Sequence, residues 1–138
     1  MDKRSKPIKI VLAEDESTIA MAYQQGLGFH GFDVVVAKDG AMALEAINTV
    51  YPDIVLLDLI MPNMNGVEVL EALRDKPESV SLPVIVLTNL GQASDAMRVY
   101  ELGAKAYLIK ANLSLKELVE QIHSALDIEY TYERPSRR

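Results

Sequence analysis

The sequence predicts an α/β domain built on a doubly wound parallel sheet, and two observations carry that expectation. Short apolar runs rich in Val, Ile and Leu alternate five times with segments of helical periodicity. Such regular alternation is the signature of a parallel sheet with helices on both faces. The run Ile54 to Leu57 is also unbroken by any polar residue, as a strand buried on both sides requires. The chain has 138 residues, the length of one domain, and is 49% hydrophobic, which supplies a core.

The elements follow in order. The first strand is expected over residues 8–13, and a helix from about Thr18 to Leu27, its end weakened by Gly26 and Gly28. Residues 33–37 read as the second strand. Asp39 can cap the next helix, with Ala41, Leu44 and Ile47 on one stripe. Residues 53–58 form the third strand and 83–88 the fourth. Between them Asn65 caps a helix with Val67, Leu70 and Leu73 inward and Pro77 just beyond its end. Ala93, Ala96, Met97 and Tyr100 share a face of a fourth helix that Gly103 can end in a left-handed conformation. The fifth strand covers 106–110. Ser114 and Glu117 form a capping box for a last helix bearing Leu115, Leu118, Val119, Ile122 and Leu126. Residues 1–7 read as an N-terminal arm, and 127–138 as a polar tail or an extension of the last helix.

Composition narrows the function. The net charge of -6 argues against binding nucleic acid by neutralising phosphates. The chain has no cysteine, so disulfides and thiolate metal sites are ruled out. No segment approaches the roughly 18 consecutive apolar residues of a membrane span, and the basic start leads into acids rather than into a secretory signal. A cytoplasmic protein is expected.

In doubly wound sheets ligands bind at the carboxyl ends of the strands. There the chain concentrates its chemistry. Strand one leads into Glu14, Asp15 and Glu16, strand three ends at Asp58, strand four at Thr88 and Asn89, and strand five at Lys110. Three close carboxylates repel unless a cation lies between them, and an all-oxygen ligand set favours a hard ion such as Mg²⁺. A lysine and a hydroxyl alongside suit a bound anion, of which a phosphoryl group is the natural candidate. Metal, cation and carboxylate nucleophile together equip a site for phosphoryl transfer through an acyl phosphate. Taken singly, Asp58 is an ordinary strand-end residue, Lys110 an exposed lysine and Thr88 a β-branched strand residue; only the set raises them. Glu16 reads as a helix-start acid favoured by the dipole. His30 and His123 have no metal-spaced partner and receive no role.

The order acidic pair, LLDLIMPNMNG, VLTN, AYLIK resembles the receiver domain of two-component response regulators, over about residues 8 to 126. The resemblance implies a flavodoxin-like five-stranded sheet of order 2-1-3-4-5 with five helices. It implies Asp58 as phospho-acceptor and Mg²⁺ held by Glu14, Asp15, Asp58 and the backbone carbonyl of Ile60, with Asp15 a direct ligand. Thr88 and Lys110 would contact the phosphoryl oxygens, and Tyr107 would be the aromatic switch. Met61-Pro62 and Gly66 match the loop after the acceptor. The implied phosphodonor is a sensor histidine kinase or a phosphotransfer protein. A downstream protein partner would bind the surface of strands four and five with helices four and five, on a monomer or a phosphorylation-dependent homodimer. The 12 residues after 126 leave no room for an output domain, so a stand-alone receiver is expected. It would catalyse only its own phosphorylation and dephosphorylation, with neither nucleic acid nor membrane as a direct partner.

The sequence departs from the family pattern at three places, Ala111, Asn89 and Glu14, and is apolar at two positions that in the family influence phosphoryl lifetime. Ala111 follows Lys110 where the family usually has proline, often with a cis bond, which costs about 3 kcal/mol before any other residue. Asn89 stands where a small residue is usual. Glu14 opens the acidic pair with a longer side chain. Ile60 and Leu90, two residues beyond Asp58 and Thr88, are both apolar and unable to orient a water, so a long-lived phosphorylated state is expected. A haloacid-dehalogenase-like phosphatase would need an aspartate at position 60, and a nucleotide or flavin binder a glycine-rich loop after strand one. The competing expectation is a receiver-like scaffold that binds partners without phosphorylation.

Overall fold

The computed structural model describes residues 6–89 and 93–126, with the side chains of residues 93 and 94 outside that description. Strands and helices alternate throughout: β1 (Lys9–Ala13), α1 (Ser17–Phe29), β2 (Asp33–Ala37), α2 (Gly40–Val50), β3 (Ile54–Leu57), α3 (Gly66–Arg74), β4 (Val84–Thr88), α4 (Ala93–Glu101), β5 (Ala106–Ile109) and α5 (Leu115–Ala125). A single 3₁₀ turn, Lys110–Asn112, links β5 to α5. The strands form one sheet of order β2-β1-β3-β4-β5, and every pairing is parallel. The expected fold is the observed one.

Strand parity explains why the apolar runs are unbroken. Successive side chains point to opposite faces. Val11, Val55, Val84 and Val86 pack beneath α2, α3 and α4 with Ala43, Ile47, Val69, Leu70 and Val99. Ile10, Leu12, Ile54, Leu56, Ile85 and Leu87 face the other way, against Ala20 and Leu27 of α1 and Leu118 and Ile122 of α5. Each fully buried Ile or Leu contributes about 1.5–3 kcal/mol, so neither face can give up its residues to solvent.

Several helix details differ from the periodic pattern. α1 runs through both glycines to Phe29. A Cβ on Gly26 would meet only the tip of the Leu115 side chain, at 2.9 Å, and the helix continues through both glycines despite their poor propensity. On α2 the buried residues are Gly40, Ala43 and Ile47, while Ala41 is exposed. On α3, Val69 joins Leu70 and Leu73 inside. On α4, Val99 is the fully buried residue, whereas Met97 and Tyr100 are 65% and 51% exposed. The shared face of Met97 and Tyr100 is thus an outer face. Among the described side chains of this short helix Val99 alone is buried, so its most apolar stripe does not mark the inward face. Asn65 and Ser114 cap α3 and α5 in full capping boxes, and Asp39 caps α2 through Met42 N–H. Gly103 adopts φ +84° at the end of α4, as expected. Leu90 and the two terminal segments, 1–5 and 127–138, lie outside the described residues.

The amino edge of the sheet is closed by Arg74. Its guanidinium donates to the carbonyls of Leu102 at 2.6 Å, Leu82 at 2.9 Å, Ser79 and Val80 at 3.2 Å and Gly103 at 3.4 Å. One side chain thereby ties the end of α3 to the loops before β4 and β5. Burial lowers its pKa from the ordinary arginine value.

Candidate functional site

The strand order places the site. β1 lies between β2 and β3, so the chain leaves β1 and β3 toward opposite faces and a crevice opens between their carboxyl ends. Both acids at that crevice hang on the last rungs of the sheet. Glu14 N–H donates to Ala37 O at 2.9 Å, and Asp58 N–H donates to Ala13 O at 3.1 Å. Asp58 thus lies one residue past β3, and Lys110 one residue past β5: each strand ends one residue short of its expected bound, which includes these two as last residues.

A cleft of about 270 Å³ is lined by Glu14, Asp15, Glu16, Asp58, Ile60, Thr88, Asn89 and Lys110. Carboxylate oxygens of Glu14, Asp15 and Asp58 lie within 4.8 Å of one another. Glu14 and Asp58 are 2% and 7% exposed, while Asp15 faces solvent. The Lys110 ammonium, its side chain 7% exposed, bridges the two buried acids: it donates to Glu14 Oε1 and, at 3.0 Å, to Asp58 Oδ2. Burial alone would pull this ammonium down, but the hydrogen bonds and charges of Glu14 and Asp58 hold its pKa above the ordinary lysine value. The other oxygen of each acid is also engaged. Ile60 N–H donates to Asp58 Oδ1 at 3.2 Å, and Glu16 N–H to Glu14 Oε2 at 3.1 Å.

One lysine faces three carboxylates, so a further cation has a natural place beside Asp15 and Asp58. Thr88 carries the complementary signal. The residue is 1% exposed, and its Oγ1 is buried with no hydrogen-bond partner among the described residues. An unpaired buried hydroxyl costs roughly 1–3 kcal/mol, and an anionic oxygen in the cleft would satisfy it. The donor set therefore fits both Mg²⁺ and a phosphoryl group. The Ile60 side chain is 59% exposed at the rim.

The remaining expected residues are also placed. Tyr107 is partly buried against the cluster under α2 to α4. It pairs with Val86 and shares that face with Thr88, whose own partner is Ile109. The two proposed switch residues are thus diagonal neighbours on adjacent strands. Met61 is buried at 8%. Gly66 is required, because any Cβ there would collide with the Asp58 carbonyl oxygen. No peptide among the described residues is cis, so Lys110 and Ala111 are joined in trans. His30 sits 3.1 Å from Gly26 O, and His123 packs a tilted ring 5.7 Å from Phe32; neither lines the cleft.

Tyr23 escaped the sequence reading. It is a half-buried residue of α1 packed on the α1/α5 side of the sheet. Burial raises its phenol pKa; the Lys110 charge opposes that shift, and the Glu14 and Asp58 charges reinforce it. A single tyrosine in a helical stretch carries no spacing signal, and only the three-dimensional structure brings it under the influence of all three groups.

Fold and site together define a doubly wound α/β domain with an acidic, lysine-bridged pocket at its topological switch point. The model of the response regulator receiver domain family matches residues 10–123. The chain is 36% identical over 126 residues to a Galdieria sulphuraria protein named "Probable transcriptional regulator ycf27", covering 91% of this chain and 48% of that one. It is 33% identical over 120 residues to the response regulator MprA of Mycobacterium sp. (strain KMS), covering 87% of this chain and 51% of that one. A crystal structure of a CheY-like receiver domain protein from Methanospirillum hungatei JF-1 superposes with a TM-score of 0.83 at 25% identity, covering 91% of this chain and 98% of that one. The chain belongs to the response regulator receiver domain family, and so to two-component signalling. It spans about half the length of the curated relatives it matches. Among the described residues no helix is long and apolar enough to cross a membrane.

Proposed function

We propose that residues 8–126 form a phosphorylation-controlled interaction module whose phospho-acceptor is Asp58. The observation that carries this reading is the pairing of buried Asp58 with Lys110 in the cleft that also holds the Thr88 hydroxyl, which has no hydrogen-bond partner among the described residues. A carboxylate oxygen of Asp58 attacks the phosphorus of a phosphohistidine on a histidine kinase or phosphotransfer protein. The new O–P bond forms as the N–P bond breaks, and the imidazole departs. Mg²⁺ held by Asp15, Asp58 and the Ile60 carbonyl, with Glu14 alongside, would neutralise the charge that develops. Lys110 and Thr88 then take the phosphoryl oxygens, and movement of Thr88 is felt by Tyr107 beside it. The exposed outer side of α4 with β5 and α5 changes shape for a protein partner, a shift between pre-existing states. The domain turns over no external substrate and acts in the cytoplasm.

Acetyl phosphate with Mg²⁺ should add one phosphoryl mass to the purified chain and none to Asp58→Asn, read by intact mass spectrometry. A full adduct on the variant would remove Asp58 from the role, and no adduct on either protein would favour the scaffold reading. The wild-type adduct should decay slowly, because Ile60 offers no side-chain hydrogen bond to an attacking water. Introducing Asn at position 60 should shorten its lifetime.

Metal binding has a separate readout. Mg²⁺ at 100 times its Kd stabilises a folded protein by about 2.7 kcal/mol, or roughly 8 °C in Tm for a domain of this size. Asp15→Asn should abolish most of that shift. An undiminished shift would show that Asp15 is not a ligand.

A further inference from the structure

β2 contributes no group to the cleft, yet Asp39, two residues past its end, reaches the loop that follows Asp58. Asp39 uses both carboxylate oxygens. Oδ1 accepts from Met42 N–H at 2.8 Å and caps α2, while Oδ2 accepts from Asn63 Nδ2 at 2.8 Å. Asn63 holds φ +69°, in the left-handed region that asparagine tolerates better than most side chains. The neighbouring residues are fixed as well. Gly40 lies so close to Met64 that any Cβ would strike the Met64 carbonyl oxygen, and Gly66 N–H donates to Leu59 O at 2.9 Å to close the loop. Within that ring Ile60 keeps its N–H on Asp58 Oδ1. Cap, bridge and glycine contact thus anchor residues 59–66 from the side of α2.

We propose that the Asp39–Asn63 bridge is a positioning device that holds the Ile60 main chain against Asp58 and thereby sets the affinity of the cleft for Mg²⁺. The proposal rests on the metal reading given above. Asp39 and Asn63 touch neither metal nor phosphoryl group and act only through the loop. The geometry makes the edge strand a contributor to a site it does not line.

Two variants isolate the bridge. Asn63→Gly keeps the left-handed backbone without strain and deletes only the amide. Asp39→Ser keeps a cap for α2 through its one oxygen and removes the Oδ2 atom that meets Asn63. Hydrogen exchange in the metal-free chain should speed up at residues 59–65 in both variants and stay unchanged in β1 and β4. Calorimetric titration with Mg²⁺ alone should show affinity reduced about fivefold in each variant, the size of one lost hydrogen bond. The double variant should be no weaker than either single one, because both remove the same bridge. Unchanged exchange in the loop, or unchanged Mg²⁺ affinity in both variants, overturns the proposal. If exchange speeds up while the wild-type chain itself takes no Mg²⁺, the tether stands as a structural device but its role in metal affinity fails, together with the metal reading.

Discussion

Lys110→Met is expected to destabilise the metal-free protein by about 3 kcal/mol at neutral pH and to slow phosphoryl uptake about a hundredfold. The ammonium is the shared partner of Glu14 and Asp58, both nearly out of solvent. Methionine fills similar space with no charge, so two buried carboxylates would face each other uncompensated. Removing one member of a buried pair leaves the full desolvation cost of the rest. Mg²⁺ should therefore stabilise this variant more than the wild type, since it is the remaining cation that can enter. The pH dependence has a definite sign. Lys110 has a raised pKa in the folded protein. Its contribution is fully present below the ordinary lysine value of about 10.4 and is lost as pH climbs through the folded value. Urea melts of the wild type should show a loss of stability on that alkaline limb which the Met variant lacks. Equal melts for both proteins at pH 7 without metal would sink the idea that Lys110 holds the acids together.

Arg74→Met is the counterpart at the other end of the sheet. It should cost about 2–3 kcal/mol and lower Tm by roughly 8 °C, while leaving acetyl phosphate labelling of Asp58 intact. Five carbonyls accept from this guanidinium, and among the described residues no carboxylate pairs with it. Its value lies in satisfying backbone oxygens of two loops at once. Part of the cost is recovered because the group is only partly buried and water can reach some of those carbonyls. Arg74→Lys should restore little, since a point charge cannot reproduce a fork that reaches several acceptors. Thermal melts of the three proteins decide this. A Lys variant as stable as wild type would mean that charge, not geometry, is what matters at this position.

The sequence carried the architecture because each strand signal is local. A strand buried on both faces has to be apolar at every position, and Ile54 to Leu57 says so without knowing its neighbours. The capping boxes at Asn65 and Ser114 are equally local, since cap and partner are three residues apart. The inward faces of α2 and α4 were less legible. A short helix with few apolar residues offers several stripes, and the sheet beneath chooses among them: Ala43 over Ala41, and Val99 over Met97. Gly26 and Gly28 misled in another way: their poor propensity did not end α1, which runs on to Phe29.

The candidate site divides along the same line. The sequence by itself determined which groups stand at the strand ends: Glu14, Asp15, Asp58, Thr88 and Lys110 each end or follow an apolar run. Only the tertiary structure decided how they meet. Lys110 bridges Glu14 and Asp58, 96 and 52 positions away. Among the described residues the Thr88 hydroxyl has no hydrogen-bond partner, Tyr23 lies within reach of their charges, and Asp39 accepts from Asn63 in the loop after Asp58. Periodicity and spacing report a residue's relation to its own strand or helix. Which distant side chains share a crevice depends on the order and parallel sense of the strands, and that order is fixed only when the whole sheet has assembled.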